Sequence, residues 1–149
     1  FDRKSEELIA ATATNNQPLS LLIADLDHFK NINDTYGHDI GDKVIIEFAN
    51  ILTAKQRKGD IACRYGGEEF VLLLNCNLED AKQVAERIRK QAQETIINVD
   101  DTQTVKFTVS IGVHSVAHAA TTIKETLTIA DKALYKAKSN GRNCVEVAA

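Results

Sequence analysis

CRYGGEEF, residues 63–70, places two glycines and two acids in the middle of apolar sequence. DIACRY (60–65) before the bend and EFVLLL (69–74) after it are short apolar runs of strand length, and Gly66-Gly67 between them is a hairpin signal. A hairpin needs turn residues at its bend, but it has no need of Glu68 and Glu69. Taken alone, Gly-Gly-Glu-Glu fits a plain turn with solvated glutamates as well as it fits a binding site.

The sequence around it supplies more strands and several helices. LSLLIADLD (19–27) is a continuous apolar run ending in acids, as expected of a strand buried on both faces. DKVIIEFANIL (42–52) puts Val44, Ile45, Phe48 and Ile51 or Leu52 on one helical stripe, and LEDAKQVAERIRKQAQ (78–93) does the same with Ala81, Val84, Ala85, Ile88 and Ala92. VKFTVSIGV (105–113) alternates, so Val105, Phe107, Val109, Ile111 and Val113 share one face of a half-covered strand. TIKETLTIADKALYKAKSNGRN (122–143) is a helix with Ile123, Leu127, Ala130, Leu134 and Ala137 inward, stopped at Asn140-Gly141. DRKSEELIAATATNN (2–16) reads as a polar helix, and CVEV (144–147) as an edge strand. The pattern predicts an α/β (α+β) layer: a mostly antiparallel central sheet flanked by helices. In it the strand carrying LLIAD and the hairpin are both central, and as neighbours they would bring Asp25 near Glu68 and Glu69.

Composition narrows the function classes. With 149 residues, 44% apolar and 26% charged, the chain suits one folded domain. A net charge of −3 offers no general basic field for nucleic acid, so any anion site must be built locally. Cys63, Cys76 and Cys144 are widely spaced and odd in number, which argues for a reducing, cytoplasmic setting and structural roles. No run approaches the roughly 20 apolar residues of a membrane span, and direct membrane contact by this domain is not expected. A chain that opens on Phe1 is expected to be a piece of a longer protein, whose anchoring is left open.

Three carboxylates gathered at a strand end and a hairpin bend would repel one another unless a cation joins them. Hard oxygen ligands suit Mg²⁺ or Mn²⁺, which leaves positions for water and substrate phosphates. Glycines without Cβ atoms would let backbone lie against a nucleotide. DLDHFKNINDTYGHDIGD (25–42) fails as an EF-hand loop, because Phe29, Lys30 and Tyr36 occupy its fifth, sixth and twelfth places. It reads instead as a helix opening at Asp27 or His28, with Asp27 as a cap and free N–H groups ready for phosphate. His28, His38, His114 and His118 form no ligand pattern.

RYGGEEF (64–70) resembles the signature of the GGDEF family, the diguanylate cyclases, in its Gly-Gly-Glu-Glu-Phe form. DLDHFKNINDTYGHDIGD is similar to that family's nucleotide-binding segment, and VSIGV (109–113) and ADKALYKAKSNGRN (130–143) to its late strand and last helix. The resemblance runs over almost the whole chain, so residues 1–149 are expected to be one such domain. The family's opening Asp-x-Leu-Thr turn and upstream sensor are missing from the sequence given. It implies a palm-like sheet and a reaction in which two GTP condense to cyclic di-GMP with loss of two pyrophosphates, in a homodimer of GTP-loaded domains.

By that resemblance, Asp25 and Glu68 hold two Mg²⁺ or Mn²⁺ ions per active site, with the Leu26 carbonyl as a further ligand. Glu68 helps deprotonate the 3′-hydroxyl, and Glu69 supports metal or substrate. Lys30, Lys138 and Arg142, with N–H groups near Phe29, contact the triphosphate, and the bend at Gly66 and Gly67 lies against the nucleotide. Lys138 and Arg142 also fit plain helix-end and loop roles. Asn33 and Asp42 match the guanine-reading positions. A carboxylate at 42 can accept from guanine N1–H and N2–H₂; adenine offers neither donor, which predicts roughly ten- to hundredfold preference for GTP. Asn33 as a turn residue and Asp42 as a helix cap are the competing readings. RKGD (57–60) resembles the R-x-x-D site at which product inhibits, with Arg57 and Asp60 joined by Arg87 or Arg89. Gly59-Asp60 also suits a bare helix-to-strand turn. The rival to an enzyme is a catalytically silent module that senses GTP or cyclic di-GMP.

Overall fold

A computed structural model describes residues 17–116 and 122–148, together with Arg3 and Glu7. The polar helix expected over residues 2–16 lies outside the described residues, apart from the Arg3–Glu7 ion pair. The first strand, β1 (Ser20–Leu26), is buried at every position, as its unbroken apolar run requires. Two short helices' worth of chain follow, α1 (Phe29–Tyr36) and the longer α2 (His38–Lys55). The hairpin is β2 (Ile61–Arg64) and β3 (Glu69–Leu74), and α3 (Leu78–Glu94) comes next. β4 (Ile96–Asn98) and β5 (Thr104–Lys106) precede β6 (Val109–Ser115), α4 (Ile123–Ser139) and β7 (Val145–Ala148).

The main sheet has the order β2-β3-β1-β6-β7 and is antiparallel except for the β6–β7 pair. β1 therefore sits at the centre with β3 on one side and β6 on the other. Leu22, Ala24 and Leu26 pack with α2 and α3 on one face, while Leu21 and Ile23 pack with α4 on the other. On the first face Phe48 meets Phe70 and Phe107 edge-on, at centroid distances of 5.0 and 6.4 Å. α4 stops where expected: Gly141 N–H donates to Lys138 O and Arg142 N–H to Ala137 O, the paired bonds of a Schellman ending.

Two expectations need correction, and one strand was not expected at all. VKFTVSIGV is not one strand: β5 pairs with β4 in a separate two-stranded sheet, and the chain leaves strand geometry at Phe107-Thr108. The five alternating side chains still enter one core, so the period reports their burial and not their ladder partners. β4, three residues with Ile96 exposed, carries too little alternation to be read from sequence. β2 is not central either; it is a partly exposed edge strand, and only β3 of the hairpin is deep.

α4 crosses β6 very closely. A Cβ on Gly112 would lie 2.5 Å from Ala130 O and 2.6 Å from Leu134 N, both helix backbone. Backbone cannot swing aside as a side chain can, so Gly112→Ala should cost about 1–3 kcal/mol as an overpacked site. A urea titration should show a lower midpoint with unchanged slope, and a midpoint equal to the parent's would refute the close packing.

Candidate active site

The β1–β3 register sets Asp25 directly opposite Glu69, and the β1–β6 register sets it opposite Ser110. One residue on, Leu26 N–H donates to Glu68 O at 3.2 Å, so the hairpin bend is tied to the end of the central strand. Asp25, Leu26 and Glu68 line one cavity of about 220 Å³ together with Phe29, Lys30, Lys138 and Arg142. Glu69 does not reach it. Glu69 lines a different hollow of about 500 Å³ on the α4 side, with Tyr65, Lys124 and Asp131.

The electrostatics are those of acids crowded away from water. Asp25 is only 5% exposed and pairs with Lys138 Nζ. Burial pushes its pKa up and outweighs the Lys138 hydrogen bond and charge, which pull the other way. Glu68 is raised by burial first and by the Asp25 charge second. Glu69 is raised by burial, then by Asp25 and Asp131.

Among the described residues no three His, Cys, Asp or Glu side chains form a ready metal cage. Asp25 and Glu68 nevertheless both line one cavity, and Leu26 lines it with them. That all-oxygen set, with room left over, fits Mg²⁺, which takes one or two carboxylates and keeps its remaining positions for water and phosphate. Burial disfavours the ionised form of each acid, and a cation bound beside them would favour it.

The N-terminus of α1 borders the same cavity. Its first intrahelical bond is Ile32 N–H to His28 O, so the N–H groups of Phe29, Lys30 and Asn31 have no partner within the helix. Those residues line the cavity. Asp27 does not cap this helix. His28 occupies the cap position at φ 55° and its side chain makes no capping bond. The Asp27 carboxylate, buried, accepts instead from Thr108 Oγ1 (2.7 Å), Ser110 Oγ (2.6 Å) and the Asn143 N–H (3.0 Å). It thereby fixes the loop after α4 that carries Arg142.

Asn33 and Asp42 sit away from this cavity, where α1 and α2 meet. Both competing readings of them fail. Asn33 lies inside α1, and α2 begins at His38, so Asp42 is a helix-interior residue on an exposed face. At RKGD the turn reading holds in full: Asp60 Oδ2 accepts from Arg57 N–H and Oδ1 from Asn75 N–H. Arg57 and Asp60 line only a small crevice of about 10 Å³. Arg89 is held by Glu86, Gln93 and Asn143, whereas Arg87 is exposed. His114 is buried with Nδ1 3.4 Å from Ala148 O, and His118 lies outside the described residues.

Two features at the bend were not read from sequence. Arg64 folds back over it, donating from Nε and Nη2 to Gly67 O at 3.1 and 2.6 Å. The glycines, moreover, are not required by the chain. Neither has a positive φ; a Cβ on Gly66 would meet only Glu69 Cβ at 3.9 Å, and one on Gly67 nothing within 4 Å. A plain hairpin would therefore accept alanine at both positions.

The sequence matches the family described as "Diguanylate cyclase, GGDEF domain" over residues 1–144. The chain belongs to the GGDEF domain family. Diguanylate cyclase A of Treponema denticola is 46% identical over 138 residues, which cover 92% of this chain and 37% of that protein. The response regulator PleD of Caulobacter vibrioides is 42% identical over 142 residues, covering 94% of this chain and 31% of its own length. The chain thus spans about a third of these curated relatives. Among solved structures, the GGDEF domain of DgcB from Caulobacter crescentus in complex with c-di-GMP superimposes with a TM-score of 0.93 at 30% identity, covering 99% of this chain and 88% of that one. The active GGEEF domain of a diguanylate cyclase from Vibrio cholerae gives 0.88 at 35% identity, covering 96% and 90%. The palm-like sheet expected from sequence is the fold of this GGDEF domain.

The raised carboxylates carry a sign. A folded-state pKa above the unfolded value means the folded domain binds more protons in the window between them, so that contribution to stability falls as pH rises. The window opens at the ordinary carboxylate range near about 4 and runs upward. A divalent cation stabilises the ionised form, so the rise in melting temperature on adding Mg²⁺ should grow with pH across it. A Mg²⁺ shift that is flat or shrinks with rising pH would contradict the assignment of these acids.

Proposed function

We propose that this domain is a diguanylate cyclase, condensing two GTP into cyclic di-GMP with release of two pyrophosphates. The observation that carries the reading is the meeting of Asp25 and Glu68 in one cavity with Lys138, Arg142 and the open end of α1. Acids, cations and unpaired helix N–H groups around one cavity suit a metal-bound triphosphate. Each 3′-hydroxyl attacks the α-phosphorus of the other GTP, and pyrophosphate departs with the bonding electron pair.

In this reading Asp25, Glu68 and the Leu26 carbonyl hold Mg²⁺ or Mn²⁺, two ions per site. When bound, the ions make the hydroxyl a better nucleophile and offset charge on the triphosphate. Glu68, the less buried of the two acids, takes the proton from the 3′-hydroxyl. Glu69 supports metal or substrate from the neighbouring hollow. Lys30, Lys138, Arg142 and the N–H groups of α1 orient the triphosphate so that the α-phosphorus lies in line. Asn33 and Asp42 hold guanine. The Gly66-Gly67 bend passes against the nucleotide, which gives the glycines the purpose the hairpin itself does not.

With one GTP held per domain, ring closure requires two domains face to face. Arg57 and Asp60, with Arg87, form the inhibitory product site; Asp60 is held by two backbone N–H groups and retains lone pairs for a guanine edge. No described helix is long and apolar enough to cross a membrane.

Glu68→Gln should abolish cyclic di-GMP formation and leave GTP binding largely intact; normal turnover by that variant would remove Glu68 from the chemistry. Gly67→Ala should leave stability within about 0.5 kcal/mol of the parent while sharply lowering turnover. A variant that melts early would return the glycine to a folding role. Specific activity should rise with enzyme concentration, and a rate strictly proportional to enzyme down to high dilution would argue against paired domains.

A further inference from the structure

Asn33 Oδ1 is buried and has no hydrogen-bond partner, the one such side-chain atom among the described residues. A buried acceptor left unpaired is unfavourable, so the surroundings must hold the carboxamide in that orientation. What it faces is Gly41, buried in the first turn of α2. A Cβ built on Gly41 would lie 1.8 Å from Asn33 Oδ1, 3.0 Å from its Cγ and 3.3 Å from Phe29 Cζ. Only hydrogen fits, and a Cα–H is a weak partner for the carbonyl.

The backbone does not ask for glycine here. Gly41 is helical and has no positive φ. In a helix interior, glycine is less stable than alanine. An unpaired acceptor and an unfavourable helix residue therefore meet at one point, next to the residue that the proposed function assigns to guanine.

We propose that Gly41 is a positioning residue for guanine recognition. By admitting the Asn33 carbonyl against its Cα, it turns the carboxamide N–H₂ toward the base, beside the Asp42 carboxylate. The inference rests on the reading of Asn33 and Asp42 as guanine contacts. One donor edge and one carboxylate complement guanine, whose N1–H and N2–H₂ face the acid while a ring nitrogen or O6 accepts from the amide. Asn33 with its carbonyl outward would set two acceptors side by side and lose that match. A methyl group at position 41 forces the carboxamide out of this orientation.

The test measures binding of a GTP analogue, with methylene between its α- and β-phosphates, to the parent domain, Gly41→Ala, Asn33→Ala and the double variant, all with Mg²⁺. Gly41→Ala should weaken binding roughly tenfold, and in turnover should raise KM by a similar factor with little change in kcat. The double variant should bind no more weakly than Asn33→Ala, because the clash partner is gone. Parent-like affinity of Gly41→Ala, or losses that simply add in the double variant, would overturn the proposal. If Gly41→Ala does not fold, the double variant decides: folding with the affinity of Asn33→Ala supports the proposal, and failure to fold overturns it. A parent domain that binds the analogue but forms no cyclic di-GMP from GTP sinks the cyclase reading, while the binding comparison still decides Gly41. A parent that binds no guanine nucleotide overturns both.

Discussion

The Asp27 carboxylate joins three parts of the chain that are distant in sequence. It accepts from Thr108 and Ser110 at the start of β6 and from the Asn143 N–H after α4, while its own N–H donates to Thr108 O. Hydrogen bonds to a charged acceptor are worth roughly 1.5–3 kcal/mol each, and they also offset the burial of the carboxylate. Spending Asp27 this way has two consequences. The loop bearing Arg142 is fixed over the end of β1, and α1 is left without a side-chain cap, its N–H groups facing the cavity. Arg89 extends the same network by donating to Asn143 Oδ1, which draws α3 into it.

With the frame fixed, the electrostatics of the cavity follow. Asp25 emerges from the most deeply buried strand, where an uncompensated charge is costly. Lys138, at the end of α4, relieves part of that cost, yet burial still wins and the Asp25 pKa stays raised. Adding the charge of Glu68 makes the region more negative, not less. The same cavity is lined by these acids, by Lys30 and Arg142, and by the first residues of α1, whose N–H groups have no partner within the helix. It suits a ligand that brings cations to the acids and phosphate oxygens to the N–H groups at once.

Much of this was legible in the sequence because it rested on short-range pattern. The buried strand, the stripes of α2, α3 and α4, and the stop at Asn140-Gly141 are local signals, and the structure contains them all. The neighbourhood of Asp25 and the hairpin acids followed from two strongly apolar strands needing the same sheet. What escaped depended on side chains choosing distant partners. Asp27 looked like a cap because a cap is the nearest use for an Asp before a helix, and its true partners lie about eighty residues on. The break at Phe107-Thr108 escaped because alternation survives the change from one sheet to the other. Asp60 kept both readings in sequence, and its two backbone bonds secure the turn without excluding a ligand.

The bend at Gly66-Gly67 turns the usual argument from glycine around. A glycine is ordinarily explained by a positive φ or by a neighbour too close for Cβ, and Gly112 is of that kind. Gly66 and Gly67 satisfy neither condition, and Arg64 already holds the loop through the Gly67 carbonyl. Two residues that raise the entropy of the unfolded chain, and that the fold does not need, must be explained by something outside the fold. The hairpin end is exposed and lies next to Glu68, where the proposed function places the nucleotide. On that reading the carboxylates stand at the bend because a nucleotide can come against backbone there while its metal reaches the end of β1.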